Sequence, residues 1–253
     1  MDDKKKILLT NDDGYFSPGI KALKERLSRD YHVVTVAPDK EMSAVSMSLT
    51  LNHPLRMHAV ERDVYAVSGT TADCVNVALQ KILADPPDFV VSGMNLGENL
   101  AEDVFFSGTV GGAFTGHLYD LPALAVSMLP VGGDPHGQEF RFDSAAEVAA
   151  RVLARLLDYD HHAAAIYNLN IPAGADGRVV VTRLGRKHYR PDVIERLDPR
   201  GRKYFWIGTG SPTSIGGEGT DIWAVAQGLV SLSVVSYEVS DPQETDRLRT
   251  LFP

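Results

Sequence analysis

The chain has 253 residues, of which 44% are hydrophobic, and a formal net charge of −8. This length and apolar share suit one large α/β domain, or a core domain with an elaboration. The acidic balance argues against stable binding of duplex nucleic acid, whose partners are usually basic. The single cysteine, Cys74, excludes an internal disulfide and fits a reducing compartment. Met1–Lys6 is charged, Ile7–Thr10 is too short for the apolar stretch of a signal peptide, and no apolar run reaches the roughly 18 residues of a membrane span. A cytoplasmic protein with no membrane partner is expected.

In chain order, Lys6–Thr10 reads as a buried strand broken by Asn11-Asp12-Asp13-Gly14. Ser17 then stands as an N-cap with Pro18 at the first helical position, and Ile20, Leu23 and Leu27 mark one helix face. Val33–Ala37 is a second strand and Tyr65–Val67 a shorter one. Thr70 and Asp73 have capping-box spacing before a helix striped by Val75, Ala78, Leu79 and Ile82, which stops before Pro86-Pro87. Asp88–Ser92 is a strand followed by a Gly/Asn-rich loop. A small-residue helix is expected from near Thr109 to about Asp120. Ala123–Ser127 is the next strand, and Ser144 with Glu147 forms a capping box before another helix. His161-His162 reads as that helix's solvated end.

This alternation predicts a Rossmann-like, doubly wound, mostly parallel sheet over residues 1–175. After about residue 175 the pattern changes to strand-like runs, Val179–Thr182, Tyr204–Ile207 and Leu229–Val235, separated by turn-rich pieces such as Gly208–Gly219. Residues 176–253 are therefore expected to be a hairpin-rich extension that completes the fold and forms an oligomer interface. The basic cluster Arg183, Arg186, Lys187, Arg190, Arg196, Arg200, Arg202 and Lys203 reads either as a solvated arm or subunit interface, or as an attractor of phosphate-bearing substrates.

Ligands of open α/β sheets bind beyond the carboxyl ends of the strands. Asp12 and Asp13 follow the first strand, Ser43 the second, and Asn95 and Asn99 the Asp88–Ser92 strand; Ser107 and Thr109 stand at a helix entrance. Two carboxylates, a hydroxyl and a side-chain amide form an all-oxygen set, which suits a hard divalent cation. Adjacent aspartates also cap turns. The small residues of Ser107-Gly108-Thr109-Val110-Gly111-Gly112 let an anion approach exposed N–H groups at a helix start, or else serve tight helix–sheet packing. The segment is neither a Walker A loop nor a GxGxxG fingerprint. His53 and His58 read as surface loop residues, and Cys74 as a small buried side chain.

Together these motifs resemble the SurE family of 5′/3′-nucleotidases. The matching pieces are Leu8–Gly14, Ala37-Pro38 with Ser43 and Ser46–Leu51, Gly69-Thr70 with Ala72–Val75, Ser92–Asn99, Phe106–Gly111, Asp198–Arg202 with Tyr204–Ile207, and Gly219–Asp221. The order of so many motifs is more specific than any one of them. The resemblance implies one divalent ion per subunit, Mg²⁺ or Mn²⁺ with Ca²⁺ and Co²⁺ as alternatives, on Asp12, Asp13, Ser43 and Asn95. It implies phosphate contacts at Asn99, Ser107 and Thr109, with the Gly108 backbone between the last two, and a homodimer or homotetramer. The implied reaction is hydrolysis of nucleoside monophosphates, with Asp12 or Asp13 orienting or deprotonating water. Its rivals are a covalent aspartyl-phosphate route and a non-catalytic nucleotide-binding regulator. The sequence departs from the family pattern at Ala44, where Gly is frequent, at Thr71 for Pro, and at Leu229 for Tyr.

Overall fold

The computed structural model describes residues 4–130, 142–159, 165–189, 192–208, 213–236 and 240–252. His161, His162, Arg190 and part of the Gly208–Gly219 segment lie outside them.

The first strand, β1 (Lys6–Thr10), is a continuous apolar run because both faces of the sheet are covered. Ile7 and Leu9 face one core and Leu8 the other. After it, Asn11 donates to the Gly14 carbonyl (3.0 Å) and to the Ser17 hydroxyl (2.9 Å), and so shapes the Asp-Asp-Gly turn. Ser17 caps α1 (Pro18–Leu27) by position only, since its hydroxyl accepts from Asn11. β2 (His32–Pro38), β3 (Met57–Glu61) and β4 (Val64–Val67) follow. The Thr70–Asp73 capping box opens α2 (Thr71–Val77), which continues as a π-helical turn over Ala78–Ile82.

β5 (Phe89–Leu96) leads through a 3₁₀ turn, Ala101–Phe105, to α3 (Gly108–His117). β6 (Ala123–Leu129) and α4 (Phe142–Leu157) come next. Because α4 already includes Phe142, Ser144 lies inside the helix and is not its cap. β7 (Ile166–Pro172), β8 (Val179–Thr182), β9 (Arg186–His188), β10 (Val193–Leu197), β11 (Lys203–Ile207) and β12 (Thr213–Ile215) precede α5 (Asp221–Ala226), β13 (Val230–Val235) and α6 (Pro242–Arg249).

Nine strands form the main sheet, in the order β3-β4-β2-β1-β5-β6-β7-β13-β8. Its centre is parallel, and antiparallel pairs occur at β3–β4 and β7–β13. The chain moves outward from β1 through β2 and β4, then returns to pair β5 on the other side of β1. That reversal is a topological switch point, where a crevice opens beyond the strand ends. Ile20, Leu23 and Leu27 of α1 pack with α4 on one face, and Cys74, Val75, Val110 and Ala113 of α2 and α3 lie on the other.

After residue 175 the chain divides its work. β8 and β13 extend the main sheet, whereas β10–β11 and β9–β12 form separate antiparallel pairs. Where the sequence suggests a surface loop at His58, the structure has the exposed edge strand β3; His53 is in an exposed loop.

Gly19 fixes how closely α1 approaches β5: a Cβ there would run into the Met94 carbonyl oxygen. Gly19→Ala is expected to destabilise the fold by about 1–3 kcal/mol. Thermal denaturation should read this as a melting temperature lowered by several degrees.

Candidate active site

A cavity of about 600 Å³ opens at the switch point. Asp12, Asp13, Ser43, Asn95, Asn99 and Ser107 all line it, together with Glu41. Elements distant in sequence thus deliver these side chains to one place, and the parallel strand order makes that delivery.

Asp12 is buried at 4% exposure, and the Thr109 hydroxyl donates to its Oδ1. Burial raises its pKa, and the hydrogen bonds from Thr109 oppose the rise. Asp13 is the more open of the two. Burial, then the neighbouring Asp12 and Glu41 charges, push its carboxyl up to about 7, partly offset by the Leu96 N–H. Ser43 donates to Glu41 Oε1 at 2.9 Å. Asn95 lies within the last residues of β5, beyond the strand end the sequence suggests, and its amide nitrogen donates to Gly97 O at 3.1 Å. Its amide oxygen is left as the remaining donor atom toward a cation.

These groups fit a divalent ion on chemical grounds. Two adjacent carboxylates, Asp12 buried and Asp13 half-buried, have raised pKa values, and Glu41 stands beside them. The buried lysine, Lys187, is bound instead to Glu98 and Asp103. Among the described residues no three His, Cys, Asp or Glu side chains form a metal cluster, so any cation here must also take neutral oxygens.

Ser107 is the N-cap of α3 and its hydroxyl accepts from the Val110 N–H at 3.0 Å. Thr109 is fully buried, and its side chain reaches Asp12 and does not line the cavity. Gly108 packs on Asp12 so closely that a Cβ would stand 2.8 Å from the Asp12 Cβ.

Asn99 is held from below. Its N–H donates to Asn170 Oδ1 (2.9 Å), its side-chain amide donates to Ser127 Oγ (2.7 Å), and its carbonyl accepts from Asn168 (2.8 Å) and Asn170 (3.1 Å). These supporting residues are not among those the motifs mark. The alternation Tyr167-Asn168-Leu169-Asn170-Ile171 is a usable signal for them, since it puts two buried amides on one face of a strand. Glu41, Phe142, Lys187 and Tyr189 carry no comparable local signal.

Ala44, beside Ser43, has φ of 57°, the left-handed region in which a glycine is unstrained. The departure from Gly noted at this position therefore falls where the backbone needs it. Cys74 is fully buried, and burial raises its thiol well above the usual value, so it is no nucleophile. Neither His53 nor His58 lines the cavity.

Fold and cavity define an α/β protein of the Rossmann-like class with an acidic, oxygen-lined crevice at its switch point. The chain belongs to the SurE family: the family model described as Survival protein SurE matches residues 7–191. It is 42% identical over 238 residues to the 5′-nucleotidase SurE of Geobacter sulfurreducens, covering 93% of this chain and 89% of that protein. It is 40% identical to the 5′-nucleotidase SurE of Vibrio vulnificus, covering 95% of this chain and 94% of that protein. The crystal structure of the SurE protein from Aquifex aeolicus superposes with a TM-score of 0.83 at 36% identity, covering 98% of this chain and all of that one.

The carboxylate pair gives the metal-free protein a defined pH response. Both pKa values are raised above the usual 3.8, so folding favours the protonated forms. The contribution destabilises above a pH of about 7 and is relieved as pH falls from there toward 4. EDTA-treated protein should therefore melt at a higher temperature at pH 5.5 than at pH 8, by a margin that shrinks in Asp13→Asn. An unchanged margin in that variant would refute the assignment to this pair.

Proposed function

We propose that this SurE-family protein is a divalent-metal-dependent phosphatase that hydrolyses nucleoside 5′-monophosphates, and 3′-monophosphates, to nucleoside and phosphate. The observation that carries the reading is the adjacent pair of buried Asp12 and half-buried Asp13, with raised pKa values and no lysine, arginine or histidine ion pair among the described residues. The relatives named 5′-nucleotidase, at about 40% identity over nearly the whole chain, support it.

Asp12, Asp13, Ser43 and Asn95 would hold one divalent ion per subunit, Mg²⁺ or Mn²⁺ being the hard cations that such oxygens suit. When bound, the ion supplies positive charge against the phosphoryl oxygens. The chain's own residues do the rest. Asn99, immobilised by four hydrogen bonds, presents its amide to the substrate phosphate beside the Ser107 hydroxyl and the Gly108 N–H. Thr109 acts one step back, fixing Asp12 through its hydroxyl. Asp13, the more open carboxylate, orients the attacking water and receives its proton.

In the assembly we propose a homodimer or homotetramer built with the β10–β11 arm. That hairpin exposes apolar side chains on both faces, Val193 (64%), Phe205 (58%) and Ile207 (76%) on one and Trp206 (64%) on the other, which an isolated two-stranded ribbon does not cover. No described helix is long and apolar enough to cross a membrane. The proposed cytoplasmic setting rests on the lone cysteine.

The test is phosphate release from adenosine monophosphate. EDTA should abolish it, and restored Mg²⁺ or Mn²⁺ should recover it. Asp12→Asn and Asp13→Asn should each lower kcat/KM by at least about 100-fold with the fold intact by circular dichroism. Full turnover in EDTA by metal-free protein would sink the reading. For the arm, Trp206→Glu should shift the species seen by light scattering toward monomer; wild-type protein that is already monomeric at micromolar concentration would refute that role.

A further inference from the structure

Beyond its oxygen-lined floor the cavity has an aromatic side. Phe106, next to the α3 cap, and Tyr189, just past β9, both line it. Their rings meet edge to face, with centroids 5.7 Å apart and planes at 64°. Phe142 at the start of α4 lines the same cavity. Phe106 keeps 56% of its surface exposed and Tyr189 39%, whereas Asp12, Asn99 and Ser107 are buried. A phosphate gains nothing from such ring faces, because its favourable contacts are charge and hydrogen-bond donors. A flat heteroaromatic ring gains from them whatever its hydrogen-bonding edge. One cavity therefore offers anion chemistry at one part and stacking chemistry at another.

Tyr189 is also pre-positioned. Its hydroxyl donates to Asp103 Oδ1. The other Asp103 oxygen and Glu98 Oε1 accept from the Lys187 ammonium, whose side chain is 3% exposed. The Lys187 N–H donates to Glu102. β9 is thereby fastened to the 98–103 segment that carries Asn99 into the floor. Burial and the Asp103 carboxylate push the Tyr189 pKa up, so the hydroxyl remains a donor at any working pH. A ring held this firmly loses little rotamer freedom when a ligand stacks on it.

We infer that Phe106 and Tyr189 form a subsite for the nucleobase of the substrate, and that they set the preference for nucleotides over other phosphate monoesters. This rests on the nucleotidase reading and locates its selectivity. Phe106 is bound into the site by its backbone, since its carbonyl accepts the Ser46 N–H at 3.1 Å, so truncating the ring leaves that tie in place.

The experiment compares kcat/KM for adenosine monophosphate with that for ribose 5-phosphate, which keeps the phosphate and sugar and lacks the base. Wild-type protein should favour the nucleotide by about tenfold or more. Phe106→Ala and Tyr189→Ala should each cut that ratio by about tenfold, mostly through the KM for the nucleotide. Phe106→Trp should keep it, and Tyr189→Phe should retain most of it. A wild-type ratio near one, or equal losses on both substrates in Phe106→Ala, would overturn the subsite and leave the phosphatase chemistry standing. If no phosphate monoester at all is hydrolysed, the nucleotidase reading fails instead. Calorimetric binding of adenosine then decides the subsite: binding that Phe106→Ala removes supports it, and no binding to wild-type protein overturns it.

Discussion

Two neighbouring carboxylates, one buried and one half-buried at the end of the first strand without a cationic side chain paired to them, are the constraint on which the rest of this structure turns. Taking a charged carboxylate out of water is costly, and a second one beside it adds repulsion. The surroundings of Asp12 and Asp13 divide that cost unequally. Asp12 is turned toward the start of α3, where Thr109 donates to it, and Gly108 has no side chain because Asp12 occupies that space. Asp13 is left toward the cavity with Glu41 and the Leu96 N–H. The small-residue opening of α3 thus serves two needs at once. It admits Asp12 from inside and leaves the helix start open toward the crevice.

The same constraint explains why the sheet order matters. β5 must lie beside β1 for Asn95 to face the carboxylates, and β6 and β7 must follow for Ser127, Asn168 and Asn170 to hold Asn99. The region after residue 175 reaches the site as well. Asp221 accepts from the N–H groups of Ala101 and Gly185, and Lys187 of β9 binds Glu98 and Asp103. The segment from Asn95 to Asp103 is therefore gripped on one side by the parallel sheet and on the other by late residues. A change in the arm that displaced β9 would pass directly into the loop that carries Asn99.

What the sequence revealed follows from the range of the interactions involved. β1, β2 and β5 are continuous apolar runs, and the Thr70–Asp73 box is a contact three residues long, so each was legible locally. The residues from Asp12 to Ser107 that meet in the cavity could be grouped because strand ends in a parallel sheet share one edge. β7 escaped because Asn168 and Asn170 disfavour strands locally, and only their tertiary partners reward them there. The Ser144–Glu147 box failed for the converse reason: correct spacing is a local feature, but α4 extends further toward its N-terminus. Thr109 shows the limit of reading roles from position. Its place at the helix start was evident, whereas the direction of its hydroxyl depends on Asp12, 97 residues earlier.

The site also carries strain that a merely stable protein would not keep. Thr10 Oγ1 and Asn11 Oδ1 at the end of β1, and Ser92 Oγ on the residue of β5 paired with Thr10, are buried without hydrogen-bond partners among the described residues. Ala44 and Ser46 hold left-handed backbone next to Ser43. Each such feature costs on the order of 1–3 kcal/mol. Backbone bonds clamp the strained loop in place: Met42 N–H to Asp12 O at 2.7 Å and Ser46 N–H to Phe106 O at 3.1 Å. Both bonds run from that loop to residues of the cavity wall, not to the body of the sheet. The strain is thus tied to the relative placement of Ser43, Asp12 and Phe106, and these three bring cation ligands and an aromatic wall into one crevice. Relaxing the loop would recover stability only by letting those groups move apart.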